Sequence, residues 1–88
     1  MKNLPDQPET FSTADLGIAV FLITLGHELV RTNVIDQRRL VFHFRRKDNT
    51  DSLISKYLTG DAKAPAKKLF ENYRSLRALA FAGTNNLK

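Results

Sequence analysis

The sequence contains no cysteine, which excludes disulfides, thiolate zinc sites, iron–sulfur clusters and cysteine nucleophiles. Its core therefore has no covalent cross-link, and we expect a reducing, cytoplasmic location. Long apolar runs are absent too. The longest one, Leu16 to Leu25, falls well short of the ~20 residues that cross a bilayer, and it follows an acidic leader. We expect neither a membrane span nor a signal peptide.

Residues that carry catalysis are equally scarce. The two histidines, His27 and His43, have no adjacent acid at metal-ligand spacing, and G-x-S-x-G and glycine-rich phosphate loops are absent. His27 after Gly26 is expected to cap a helix or to lie at an interface, and His43 is either a phosphate contact or a solvated side chain. We predict no catalytic residue, no metal site, no cofactor and no enzymatic activity.

The charge is unevenly distributed along the chain. The 88 residues are 42% hydrophobic and 26% charged, with a net charge of +5, which is typical of one small domain. Residues 1–30 hold one lysine and four acids, whereas residues 31–88 hold thirteen cations and five acids. Such a basic body favours polyanions or acidic protein faces. A merely solvated basic surface is the alternative.

The N-terminal third predicts an arm and a buried helix. Residues 1–10 are polar, contain two prolines and read as a flexible arm. Ser12 and Thr13 are good N-cap residues, so we predict a helix over about 13–25 that ends at Gly26. This helix is apolar nearly all round, so it is either sandwiched between sheet and helices or partly covered by another subunit.

The middle of the chain predicts an antiparallel hairpin around Asp36-Gln37-Arg38. In its second strand Leu40, Phe42 and Phe44 must share one face, the core face, because side chains alternate. Two registers are open for the first strand. A three-residue loop, which we prefer because it leaves Arg31 outside, sets Val30, Thr32 and Val34 opposite the core residues; a two-residue loop sets Leu29, Arg31 and Ile35 there.

Two further helices complete the prediction. One covers about 51–59 and ends at Gly60; the other covers about 65–82, begins with Pro65 and ends at Gly83. The expected fold is a single α+β domain over residues 11–83, of order α-β-β-α-α, in which the hairpin packs against helices. Residues 84–88 form a tail.

Several short motifs along the sequence together resemble the pattern of a protein family. Phe11-Ser12-Thr13-Ala14-Asp15-Leu16 forms an F-[ST]-T-x-D-L helix start, Gly26-His27 a G-H stop, and Phe42-His43-Phe44 an F-x-F strand. With Tyr73-Arg74-Ser75-Leu76-Arg77 in the last helix, the pattern resembles a family of short uncharacterised bacterial and phage domains over roughly residues 11–80. The resemblance implies a small accessory protein, in a phage or mobile-element setting, without naming its activity.

Nucleic acid, DNA or RNA, is the favoured partner. Phosphate contacts give affinity without sequence information, and the second strand and last helix supply the donors, while the aromatic residues fall mostly at expected core positions. The two last helices match a helix-turn-helix motif poorly. The predicted binding residues are Arg31, Arg39, His43, Arg45, Arg46, Lys47, Lys67 and Arg74, with Arg77 on the same helix stripe.

The competing hypothesis is a protein-interaction module. The first predicted helix is apolar on two opposite sides. If one side faces the core, the other is more hydrophobic surface than a small monomer should expose. A symmetric homodimer would bury it; alternatively, the basic surface docks onto an acidic face of a partner protein. The predicted interface residues are Ile18, Phe21, Leu22 and Leu25.

Overall fold

The fold is α+β, as predicted, but it contains a strand that the sequence did not reveal. A computed structural model describes residues 9–36 and 39–85. The elements are β1 (Thr10–Thr13), α1 (Leu16–Thr24), β2 (Leu29–Asp36), β3 (Arg39–Arg45), α2 (Thr50–Thr59) and α3 (Ala66–Asn85). The predicted order α-β-β-α-α is therefore wrong by one leading strand. Most of the predicted arm and the last residues of the predicted tail lie outside the described residues.

Strand β1 replaces the predicted start of the first helix. It pairs antiparallel with β3, Thr13 lying opposite Phe42, so the sheet has three strands in the order β1-β3-β2. The helix begins later because Asp15, rather than Ser12 or Thr13, is the N-cap. Its carboxylate accepts a hydrogen bond of 3.0 Å from the Ile18 backbone N–H, which satisfies one of the free donors at a helix start.

Helix α1 lies in the centre of the molecule. Its residues from Ile18 to Leu22 are all buried, since α2, α3 and the sheet surround it. The sandwiched alternative is thus confirmed. Three of the predicted interface residues, Ile18, Phe21 and Leu22, belong to the core of this chain and form no surface between two folded copies; the fourth, Leu25, is half-buried against the same core.

The predicted antiparallel pairing of β2 with β3 is confirmed. Thr32 lies opposite Phe42 and Val34 opposite Leu40, as in the preferred register, but Leu29 rather than Val30 lies opposite Phe44. An irregularity between Leu29 and Arg31 causes this change, because one extra residue in a strand interrupts the alternation. Val30 is therefore turned outward and exposed.

The core lies between one face of the sheet and the helices. Leu40, Phe42 and Phe44 are all buried, as their alternation predicts. Helix α3 contacts α1, β2 and β3 on this side, with Leu76 buried and Leu69 and Ala80 packed against the core.

Both C-terminal helices exist, with one wrong boundary. Helix α2 ends at Gly60, whose left-handed backbone, φ 87°, suits glycine. Helix α3 does not end at Gly83, as predicted, but continues to Asn85. A single glycine costs a helix only about 1 kcal/mol relative to alanine, which its neighbours can offset.

Candidate nucleic-acid interface

Four of the hairpin residues predicted to bind nucleic acid lie on the face of the sheet that points away from the helices. Arg31 is opposite His43 across β2 and β3. Arg39 and Arg45 share the His43 face of β3, because residues two apart in a strand point the same way. We call this side of the sheet the open face. It carries four of the predicted residues: Arg31, Arg39, His43 and Arg45.

A row of three hydrogen-bonded side chains crosses this face. The Ser12 hydroxyl lies 2.6 Å from Nδ1 of His43, and Nε2 of His43 contacts Oδ1 of Asn33. Since an amide oxygen only accepts, Nε2 donates to Asn33 and the Ser12 hydroxyl donates to Nδ1. Burial, and then the positive charge of Arg31, lower the pKa of His43.

His43 consequently has a different role from the predicted one. The lowered pKa of His43 favours its neutral form, and both of its ring nitrogens already have partners. A phosphate would have to displace Asn33 to receive a proton from this ring. The side chain instead connects the three strands, and the sequence gave no sign that Ser12 and Asn33 would meet it.

Arg45, Arg46 and Lys47, the cations at the end of β3, are largely occupied within the chain. Arg45 forms an ion pair of 3.0 Å with Glu28, in which both side chains are more than half exposed. Lys47 donates its ammonium proton over 3.4 Å to the carbonyl of Gly26, which follows the end of α1. A cation at this position interacts favourably with the negative end of the helix dipole.

Arg46 is the clearest correction among the predicted binding residues. Its guanidinium donates to Asp51 over 2.8 Å, and its side chain is only 24% exposed. The same group lies 5.9 Å from the ring centre of Phe11, a cation–π distance. Arg46 therefore holds β1 to the start of α2, and it is not available to a phosphate.

Helix α3 presents a different basic surface. It carries Lys67, Lys68, Arg74 and Arg77 against one acid, Glu71. None of the four cations forms an ion pair within residues 9–36 and 39–85. Five exposed residues follow one side of the helix within an arc of about 80° at 100° per residue. We call them the α3 stripe: Lys67, Phe70, Arg74, Arg77 and Phe81.

The aromatic members of the α3 stripe overturn an expectation. Phe70 and Phe81 are 62% and 67% exposed, although helical spacing placed Phe70 among core residues. Leu69, Leu76 and Ala80 fill the core positions instead. Phe70 lies about 100° from Leu69 on the helix, outside the arc that meets the sheet. Its spacing of three from Tyr73, which is itself 41% exposed, concealed this.

The two basic surfaces are separate. Helix α3 packs on the core face of the sheet, whereas Arg31 and Arg39 lie on the open face. Lys67 and Arg74 lie on the side of α3 turned away from Leu69 and Leu76, and hence from the sheet. The predicted residues therefore do not form one continuous site.

In the described part of the chain, no group of histidine and acidic residues is arranged to hold a metal ion. No helix there has the length and apolar character needed to cross a bilayer.

Comparison with known proteins identifies one family. The family model Domain of unknown function (DUF5659) matches residues 8–82. No curated protein and no solved structure gives a significant match.

Proposed function

This chain belongs to the DUF5659 family, a domain of unknown function, and from that premise we propose that it is a small non-enzymatic protein that binds nucleic acid through the α3 stripe. The resemblance noted in its motifs further supports an accessory role in a bacterium or a phage, and the lack of cysteine supports a cytoplasmic location. DNA and RNA are both candidate ligands.

One observation carries the proposal: the cations of α3 are exposed and have no acidic partner within the described residues. Lys67, Arg74 and Arg77 repeat at seven and three residues, which aligns them along the helix. Guanidinium and ammonium groups free of acids release counterions from a nucleic acid when they contact its phosphates. An ion-paired group such as Arg45 would first have to leave its partner.

The open face of the sheet is a secondary surface. Arg31 and Arg39 are exposed there and form no ion pair within the described residues. However, the acidic residue Asp36 lies opposite Arg39, and Glu28 pairs with Arg45. These acids reduce the attraction of this face for phosphates.

The test compares two charge reversals of equal size. Arg74→Glu with Arg77→Glu alters the α3 stripe, and Arg39→Glu with Arg45→Glu alters the open face. Fluorescence anisotropy with single- and double-stranded DNA and RNA across a salt series measures binding. We expect the α3 variant to lose at least tenfold in affinity and to show a shallower salt slope, while the sheet variant changes less.

The outcomes separate the possible sites. Loss of binding in the sheet variant alone would move the site to the hairpin. Wild-type protein that binds none of the probes at low salt would reject nucleic acid as the ligand. Circular dichroism of both variants serves as the folding control.

A protein-interaction role is the second candidate, because large apolar side chains are exposed on α3. Phe70, Tyr73 and Phe81 are between 41% and 67% exposed, and exposed aromatic and arginine residues are typical of protein interfaces. A homodimer or an acidic partner surface would meet the same stripe. Light scattering tests the homodimer directly, and a protein that is monomeric at high concentration rejects it.

A further inference from the structure

A cavity of about 330 Å³ opens beside the α3 stripe. It lies between α1, α2, the connector that precedes α3, and the first turns of α3. Its volume falls in the range of ~300–1,000 Å³ that is usual for small-ligand sites. The cavity was not visible in the sequence because its walls come from four separate segments. Its aromatic lining residues are Phe21, Tyr57, Phe70 and Tyr73.

The aromatic rings divide into a fixed inner part and an exposed outer wall. Phe21 is buried, and its ring centre is 5.6 Å from that of Tyr57. Gly17 leaves room for the Tyr57 side chain, since a Cβ at Gly17 would collide with the Tyr57 hydroxyl. On the outer wall Phe70 is 62% exposed. An aromatic ring that enters the cavity therefore meets other rings without displacing core side chains.

Positive charge borders this aromatic cavity. Lys63 belongs to its lining. Lys67 and Arg74 lie three and four residues from Phe70 on α3, so they flank the Phe70 ring along the helix. The site thus offers rings for a flat aromatic group and cations for anions on either side of that group. A nucleotide within a polynucleotide has this arrangement of base and phosphates.

We propose that the cavity receives one unstacked base of a single-stranded nucleic acid, while the cations of the α3 stripe contact the flanking phosphates. This inference rests on the proposed function and adds a preference for single strands. In a duplex each base is stacked and paired, so entry would require the base to leave the helix at a cost. Stacking on protein rings is sequence-tolerant, because every base has a π-face.

The test uses three probes with similar backbones: a short oligodeoxyadenylate, the same strand with abasic sites in place of its bases, and the oligodeoxyadenylate in a duplex. The first variant is Phe70→Ala, and Leu58→Ala is its matched control, because Leu58 is 70% exposed and lies outside the cavity lining. A second variant, Ala64→Leu, narrows the cavity and leaves the α3 stripe unchanged.

We expect wild-type protein to bind the oligodeoxyadenylate more tightly than the abasic strand. Loss of one stacked base is worth roughly 5- to 100-fold in affinity, so Phe70→Ala and Ala64→Leu should weaken oligodeoxyadenylate binding by that order. Ala64→Leu, which leaves the α3 stripe intact, should keep abasic and duplex binding, and the salt slope, as in the wild type. Leu58→Ala should bind all three probes normally.

Equal wild-type affinity for the base-containing and abasic strands would overturn the inference and leave the proposed function standing, because phosphate contacts alone would explain it. Unchanged oligodeoxyadenylate binding in both cavity variants would overturn it as well. Failure of all three probes, and of the matching single-stranded RNA, to bind at low salt would overturn the proposed function and this inference together.

Discussion

At the scale of single residues, the junction between α1 and α2 depends on a buried histidine. His27 is 4% exposed, and its Nε2 shares a hydrogen bond of 2.8 Å with the Thr50 hydroxyl. The Thr50 oxygen also accepts the Lys47 backbone N–H, which fixes the start of α2. Among residues 9–36 and 39–85, Nδ1 of His27 finds no hydrogen-bond partner. His27 thus links two helices through a buried side-chain hydrogen bond.

This environment predicts a loss of stability in mild acid. Burial first, and then the charge of Lys47, lower the pKa of His27, whereas an unfolded histidine titrates near pH 6.5. Below about pH 6.5 the unfolded chain therefore binds more protons than the folded one. Its free energy of unfolding should fall as the pH drops from 7 towards the lowered pKa.

Urea unfolding at pH values from 7.5 to about 5.5 measures this dependence. His27→Gln, which keeps a polar group towards Thr50 but does not titrate, is the control and should show a flatter profile. A wild-type profile that is equally flat would contradict the assigned cause.

Neighbouring arginines should differ sharply in their effect on stability. The exposed Arg45–Glu28 pair belongs to a class worth ~0–1 kcal/mol, so Arg45→Ala should be nearly neutral. Arg46 is mostly buried, between Asp51 and the Phe11 ring. Arg46→Ala should reduce the free energy of unfolding by about 1–3 kcal/mol. Chemical denaturation of the two variants checks the contrast, and equal losses would argue against a structural role for Arg46.

At the scale of elements, β3 is the strand on which the others depend, since it pairs with both neighbours. Phe42 is 1% exposed and lies opposite Thr13 of β1 and Thr32 of β2. Phe42→Ala should cost about 3–5 kcal/mol, because it removes buried area and leaves a void. Val41→Ala, on the open face, should cost clearly less. Thermal melts followed by circular dichroism rank the two, and the reverse order would contradict the assigned core face.

Elements with a strong internal pattern were predictable, and those defined by a distant partner were not. The alternation of Leu40, Phe42 and Phe44 identified β3 and its buried face. Strand β1 has only Phe11 as a large apolar residue, and its Ser12 and Thr13 are also good helix caps. The local sequence therefore fits a strand and a helix start equally well. Pairing with β3, some thirty residues away, selects the strand.

The candidate site shows the same division. Lys67, Arg74 and Arg77 were found together because one helix carries them. The cavity needed four segments to meet, and the neutralisation of Arg46 needed Asp51 and Phe11 to be known as its neighbours. Charge on a sequence therefore located the cations but could not show which of them have partners.

At the scale of the whole molecule, a single helix supplies most of the core. Five consecutive residues of α1 are buried. The apolar surface that suggested a subunit interface is therefore buried within one chain. The large exposed apolar side chains lie elsewhere, many of them on α3. Any self-association of the folded chain must therefore use a different surface from the predicted one.

Two glutamate substitutions distinguish core from surface. Phe21→Glu places a carboxylate where the native ring is 4% exposed, and an unpaired buried charge is far more costly than a small domain can tolerate. We expect this variant to lose its cooperative thermal transition. Phe70→Glu, at a position 62% exposed, should keep the transition close to that of the wild type.

Light scattering on the same pair of variants connects stability with assembly. If wild-type protein is dimeric, Phe70→Glu should give folded monomers, because it places charge on the exposed face of α3. Phe21→Glu should give an unfolded chain rather than a folded monomer. A folded Phe21→Glu variant would show that α1 is not the centre of the core, and the exclusion of its buried residues from a subunit interface would then fail with it.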